Sequence, residues 1–203
     1  MKLISKLRYL ILAFFLISFF ALHSAENIKT KSFVELLQES QMVFQKPEGL
    51  VEVAVMKNDQ MNYEYALKYP DKKFEVRYAI RPLGAMIVQY KENLKNKKPG
   101  DVFMDPNVLY PTLFQAIALN VSGGKESYKE DFDKNAIKEE FKADWGSITF
   151  FEVGKSYSQE YKYCLMMAIH KDNCADAYIF YLSDDKERLM ELAAPAFHSL
   201  TFK

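Results

Sequence analysis

Two cysteines, two methionines, a histidine and several carboxylates crowd the stretch YKYCLMMAIHKDNCADAYIFYLSDD at residues 161 to 185. Thiolate, thioether, imidazole and carboxylate are the donor types of a soft or borderline metal centre, and a cysteine pair is the raw material of a disulfide in an oxidising compartment. The same residues also spell a β-hairpin. Lys171, Asp172 and Asn173 interrupt two apolar alternating runs and place the turn.

With a two-residue loop, Lys171-Asp172 or Asp172-Asn173, even residues of the first strand share a face with odd residues of the second. One face then carries Cys164, Met166, Ala168, His170, Ala175, Ala177, Ile179 and Tyr181; the other carries Tyr163, Leu165, Met167, Ile169, Cys174, Asp176, Tyr178 and Phe180. A three-residue loop changes this facing but barely changes the distances. Cys164 and Cys174 fall on opposite sides, about 15 Å apart at strand rise, and a disulfide needs Cα atoms within roughly 7 Å. His170 shares a face with Cys164 but stands roughly 20 Å along it. The hairpin alone therefore assembles neither a disulfide nor a metal centre. Met166, Met167 and both cysteines are expected as core filler, and a hairpin apolar on both faces must be covered on both.

Other candidates read the same way. Asp131, Asp133 and Asn135 occupy the first, third and fifth positions of an EF-hand-like loop, but Ala136 replaces its glycine and Lys142 its final glutamate. An acid-dressed helix N-terminus is the expectation. SGGKES around Lys125 lacks the earlier glycine of a P-loop and reads as a turn. No G-x-S-x-G, H-E-x-x-H or C-x-x-C occurs. His198 stands beside Ser199, but adjacency in sequence does not make a base and a nucleophile. NVS at 120 to 122 matters only in a host that glycosylates. Arg77 and Arg81 share a strand face with Glu75, expected to be solvated or covered by a helix, with an anionic partner as the functional alternative. No catalytic, cofactor-binding or metal residue is assigned, and no cofactor is expected.

The first nine residues, MKLISKLRY, carry three basic groups and no acid, and LILAFFLISFFAL follows without a charge. This is the n-region and h-region of a signal peptide, short for a transmembrane helix, which takes roughly 20 apolar residues. Cleavage is expected after Ala25, where His23 is large for a small-residue position; retention as an N-terminal anchor is the alternative. No cysteine stands at the cleavage region to take a lipid there. Removing residues 1–25 takes three of 27 basic residues and none of 27 acids, leaving a net charge of −3. That balance argues against nucleic acid as a partner. Residues 26–203 are enough for a single globular domain.

Apolar residues from Phe33 to Phe44 follow helical spacing behind Ser32 as N-cap. From Leu50 the period becomes two: LVEVAVM, MNYEYALK and KFEVRYAI, separated by KNDQ and YPDKK, predict a three-strand antiparallel meander. Pro82 then opens a helix carrying Leu83, Met86, Ile87, Tyr90 and Leu94, with a fourth strand through AMIVQY as the alternative. A lysine-rich loop follows, then a short helix from Pro111, a loop through VSGGKESYKEDFDKN and a helix closed by Gly146. SITFFEV and the hairpin add three strands. Asp184 and Glu187 have capping-box spacing before a helix burying Leu189, Leu192 and Ala193, and Pro195 should end that helix near Ala194. The fold class is α+β: an antiparallel sheet of about six strands flanked by helices on both faces, an α/β/α sandwich.

This order of elements, closing on a helix and the tail FHSLTF, resembles the PsbP/Mog1-like α/β/α sandwich. The architecture matches over most of residues 26–203, and the residue-level likeness lies in about the last forty; the loop between residues 95 and 134 departs from the compact pattern. Members of that group are mostly binding or assembly factors and not enzymes, so the resemblance implies that role and transfers no functional residue. The expectation is an exported non-catalytic module that binds a protein or other macromolecule, adhesin-like at the cell surface or as a periplasmic accessory factor, without stable membrane insertion once the signal is removed. Thirteen tyrosines among the aromatic residues suit such recognition where they are exposed. An exported hydrolase or small-ligand carrier with a site built from distant residues is the alternative.

Overall fold

The computed structural model describes residues 31–203; the expected signal peptide, with His23 and Ala25, lies outside the described residues. In chain order the first elements are α1 (Phe33–Glu39), β1 (Met42–Phe44), β2 (Val51–Glu52), β3 (Tyr65–Lys68), β4 (Phe74–Pro82), α2 (Gly84–Lys95) and α3 (Tyr110–Val121). Then come β5 (Lys129–Asp131), α4 (Lys134–Phe141), β6 (Trp145–Glu152), β7 (Tyr163–Lys171), β8 (Ala175–Ser183), α5 (Leu189–Ala193) and β9 (Leu200–Phe202). Seven strands form one antiparallel sheet in the order β2-β3-β4-β8-β7-β6-β5, and β1 pairs with β9 in a separate ribbon.

The long strands β4, β7 and β8 are buried on both faces, as a sheet between two covering layers must be. On the first face Leu67, Val76, Tyr78, Met167 and Ile179 pack against α1, α4, α5 and the ribbon; on the second, Ala79, Cys164, Met166, Tyr178 and Phe180 pack against Phe114, Ala118 and Val121 of α3 and against Tyr63, Tyr157 and Tyr161. Both cores are contained in residues 32–203, which form one compact unit. Among the described residues, no helix is long and apolar enough to cross a membrane.

Several boundaries differ from the sequence expectations, each for a local reason. Ser32 does cap α1, with Glu35 returning the capping-box bond to the Ser32 amide at 2.7 Å. The helix stops early, however, because Gln41 turns the chain at φ +52 and Met42–Phe44 pair with Leu200–Phe202 instead. Pro82 closes β4, and α2 is a helix, so the strand alternative falls. The expected loop before α4 contains β5, bonded to β6. Lys142 in the left-handed region ends α4, and Gly146 lies inside β6, where a Cβ would come within 2.5 Å of Ile137 Cδ1. Asp184 pairs with Lys73 at 3.0 Å instead of capping α5. Leu189, Leu192 and Ala193 are buried as the spacing predicts, and the helix gives way to a 3-10 turn at Ala194–Ala196.

The hairpin has a three-residue loop, not two. Lys171 pairs with Ala175 and His170 with Asp176, while Asn173 takes φ +58 and the Cys174 amide donates to the Lys171 carbonyl at 3.1 Å. Asparagine tolerates the left-handed conformation that such a loop requires. Even residues of β7 therefore share a face with even residues of β8, the reverse of the two-residue expectation, and this moves Asp176 beside His170.

At the far end of the sheet the loops after α3 and β6 cross. A Cβ on Gly154 would lie 2.8 Å from the Gly123 nitrogen and 2.9 Å from its Cα. Backbone cannot yield as a flexible side chain does, so Gly154→Ala should cost about 1–3 kcal/mol in urea unfolding. Gly84→Ala, with nothing within 4 Å of the new Cβ at the start of α2, is the matched control and should not destabilise the protein.

Candidate functional site

The chemistry-bearing residues of the opening stretch part company in the fold. Cys164 and Met166 enter the second core, whereas Met167 and Cys174 enter the first. Both cysteines are free and buried, and burial pushes both thiols above their ordinary pKa. The Cys174 thiol donates to the Ser40 carbonyl at 2.9 Å. Among the described residues, no three His, Cys, Asp or Glu side chains converge as metal ligands.

His170 is 1% exposed at the tip of the hairpin. Its Nδ1 lies 2.6 Å from Asp176 Oδ1, across the register created by the three-residue loop, and its Nε2 lies 2.9 Å from Asp172 Oδ1. The Tyr110 ring stacks on the imidazole at 4.2 Å, and Trp145 is its β6 partner. Burial opposes charge on His170, but the hydrogen bonds and charges of Asp176 and Asp172 outweigh it and raise its pKa above the ordinary value. Held between two carboxylates, the imidazole ties β7 to the hairpin turn and to β8, with the Tyr110 ring of α3 stacked on it.

Sequence reasoning also left Arg77 and Glu75 in solvent or under a helix. They are 5% and 7% exposed, joined by a 2.5 Å bond from Nε to Glu75 Oε1, and covered by loop-borne tyrosines. The guanidinium carbon lies 4.9 Å from the Tyr63 ring centre and 4.8 Å from that of Tyr157. Arg81 is held elsewhere, donating to Glu64 at 2.8 and 3.0 Å. His198 and Ser199 diverge: the imidazole reaches Glu140 at 2.7 Å on the surface, while Ser199 Oγ, buried, donates to the Ala196 carbonyl at 2.6 Å and accepts from the Tyr78 hydroxyl at 2.8 Å. Asp133 caps α4 through the amides of Asn135 and Ala136, and Asp131 pairs with Lys129 at 2.7 Å. Gly123 and Gly124 both take positive φ, as a turn before Lys125 requires. Ser122 of the sequon is buried.

Most of the tyrosines line or border the cores; among the described residues only Tyr128, at 88%, is exposed, and Tyr90 is half-buried. The hydroxyl of Tyr63 accepts from the Met56 amide at 2.8 Å and that of Tyr78 bonds Ser199, whereas the buried hydroxyl of Tyr157 has no hydrogen-bond partner among the described residues.

What the surface offers lies at the hairpin tip. The Cys174 carbonyl accepts from the Leu83 amide at 2.9 Å and so anchors α2. Asn173 accepts from the Asn107 side-chain amide at 3.3 Å and donates its backbone N–H to the Asn107 side-chain oxygen at 2.8 Å, anchoring the segment before α3. Between these walls runs a groove of about 500 Å³, lined by Met86, Tyr90, Val102, Phe103, Met104 and Leu109. The stripe predicted for α2 is only partly buried: Leu83 and Ile87 are inside, but Met86 and Leu94 are exposed. Val102 and Met104 are 86% and 65% exposed. Lys91, Lys95, Lys97 and Lys98 are exposed on and just after α2, outside the groove lining, and none forms an ion pair among the described residues. The signal for this surface was legible as VFM embedded in a lysine-rich polar loop. Its meaning was not, since an apolar triplet in a loop is as readily buried.

A second hollow, of about 720 Å³, lies against Gly123, Gly154 and Tyr161, where Lys125 is paired with Glu152 at 2.6 Å. A third, of about 490 Å³, lies beside Phe114 and Leu119 of α3.

No family model matches the chain, and no curated protein matches it in sequence. Among solved structures, the chain is similar to the solution structure of cyanobacterial PsbP (CyanoP) from Synechocystis sp. PCC 6803, with 14% identity and a TM-score of 0.44, over 90% of this chain and 99% of that one.

Proposed function

We propose that residues 26–203 are an exported, non-catalytic binding module for a macromolecular partner, acting at the cell surface or as a periplasmic accessory factor, and that the groove between α2 and the 101–109 segment is its recognition surface. The observation that carries this reading is the exposed apolar lining of Met86, Val102 and Met104 on a scaffold anchored from both sides by the hairpin tip. A chain that fills two cores has no folding reason to leave these side chains in water, and contiguous exposed apolar surface marks interaction sites. The polar constellations are consumed internally: His170 by two aspartates, Ser199 by Tyr78 and Ala196. The polar side chains of the groove, Gln89 and Asn93, are bonded to each other at 2.9 Å. Export is read from the charge pattern of residues 1–25.

A photo-crosslinking side chain at Met104 in living cells should give one discrete adduct, lost when Val102→Asp is added. Crosslinking at Glu139, on α4 away from the groove, should give none. Adducts of equal yield at both positions, or no adduct at Met104, would count against the groove. Protease treatment of intact and permeabilised cells decides between surface and periplasm: digestion in intact cells places the module outside, and protection until permeabilisation places it in the periplasm.

A further inference from the structure

We infer that the edge of the seven-stranded sheet at β2 is a self-association surface, where a second copy of this chain lays its own residues 51–55 antiparallel to these and joins the two sheets edge to edge. This surface is distinct from the groove and stands without it.

The backbone is the first support. β3 takes up one side of this segment: Val51 pairs with Lys68, and the Val53 amide donates to the Ala66 carbonyl at 3.1 Å. An antiparallel ladder uses alternate residues, so the amides and carbonyls of Glu52 and Ala54 point away from β3. Ala54 makes no backbone hydrogen bond among the described residues and, like Glu52, is exposed. A row of free donors and acceptors along an edge is matched by another extended chain.

The two edges of the sheet differ. At the far end β5 is Lys129, Glu130 and Asp131, with Lys129 and Asp131 paired at 2.7 Å; short, charged edges of this kind keep sheets apart. At β2 the edge is VEVAVM, where Val51 and Val55 are 42% and 46% exposed. Its acid, Glu52, is turned back to accept from the Tyr65 hydroxyl at 3.0 Å. With one edge open and the other guarded, association closes at two copies instead of growing into a fibre.

Register selects a second copy as the occupant. Pairing about Glu52 sets acid opposite acid, which is destabilising. Pairing about Ala54 calls on the Met56 amide, already donated to the Tyr63 hydroxyl at 2.8 Å. Pairing about Val53 sets Glu52 against Ala54 on both sides of the two-fold axis and uses only groups that β3 leaves free. It also brings Val53 against Val53 and Val51 against Val55 of the other copy, β-branched cross-strand pairs of the kind that stabilise a sheet. The segment is thus complementary to itself, in hydrogen bonds and in side chains. Because the shared edge is short, the pair is weak and depends on concentration.

The test is sedimentation equilibrium of the chain from Glu26 onward, which contains the whole compact unit. The average mass should rise with concentration toward twice that of one chain. Val55→Lys, which puts a charge on the edge, should hold the mass at one chain with an unchanged melting curve, since the side chain is exposed. Ala54→Pro, which removes an amide that bonds nothing within the chain, should do the same. Under oxidation, Val51→Cys mixed with Val55→Cys should form a covalent dimer, and neither should do so alone. Equal positions lie four residues out of register, about 13 Å at strand rise, beyond the roughly 7 Å reach of a disulfide, and the native cysteines are buried. A mass that stays at one chain at every concentration, or a dimer that both variants leave intact, would overturn the inference. So would Val55→Cys crosslinking to itself as readily as to Val51→Cys. A monomer that captures a different protein through a photo-crosslinking side chain at Val55 would overturn self-pairing and give the edge to a foreign strand.

Discussion

Arg77→Ala should lower the unfolding free energy by about 3–5 kcal/mol, the range for removing one partner of a buried ion pair. The arginine lies between two tyrosine rings with Glu75 as its carboxylate partner, and alanine would leave Glu75, 7% exposed, with a charge that water cannot reach. Part of the loss is packing, because Tyr63 and Tyr157 would lose the plane between them. The double replacement Glu75→Leu/Arg77→Met should recover most of the cost, since an apolar pair of similar volume needs no compensation. Urea unfolding of the three variants checks this. A single-variant loss below about 1 kcal/mol, the scale of a solvated surface pair, would mean that the pair reaches water.

The second large effect concerns the hairpin tip and carries a pH dependence. Asp176→Ala should cost about 3 kcal/mol near pH 6, where His170 is protonated and loses its buried partner. The sign follows from linkage: the folded-state pKa of His170 is raised by Asp176 and Asp172 over the opposing effect of burial. Its contribution is therefore fully present below the unfolded value of about 6.5 and is lost as pH rises through the higher folded value. Wild-type stability should decline across that window. In Asp176→Ala, burial acts against the exposed Asp172 alone, so the decline should flatten and the two proteins should converge in stability as pH rises. Unfolding midpoints measured from below pH 6.5 to above the wild-type transition test both points. Parallel curves would show that His170 does not titrate with this pair. Because Asn173 and Cys174 of the same turn anchor both walls of the groove, loosening the tip should also reduce partner binding.

Periodicity carried the sheet and helices a long way. KFEVRYAI, SITFFEV and the hairpin runs alternate because a strand turns successive side chains to opposite faces, and that regularity is local enough to read. The N-cap at Ser32 and the stop near Pro195 are legible for the same reason: they depend on neighbours within a few residues. That the hairpin must be covered on both faces also followed from composition alone, since both of its faces are apolar.

What the sequence could not contain was decided by partners far along the chain. Met42–Phe44 reads as the end of a helix until Leu200–Phe202 is laid beside it, and Lys129–Asp131 is too short and too charged to read as a strand until β6 offers its edge. One extra residue in the turn reversed the facing of β8 and placed Asp176 against His170, because a period of two amplifies a one-residue change across the whole strand. Glu75 and Arg77 alternate like a solvated face, yet tyrosines at positions 63 and 157 close over them. The sequence by itself determined the long alternating strands, the N-cap at Ser32 and the covering of the hairpin on both faces. Only the tertiary structure decided which polar groups are spent on one another and which apolar groups remain in water, since burial depends on the elements that meet, not on the residues that precede and follow.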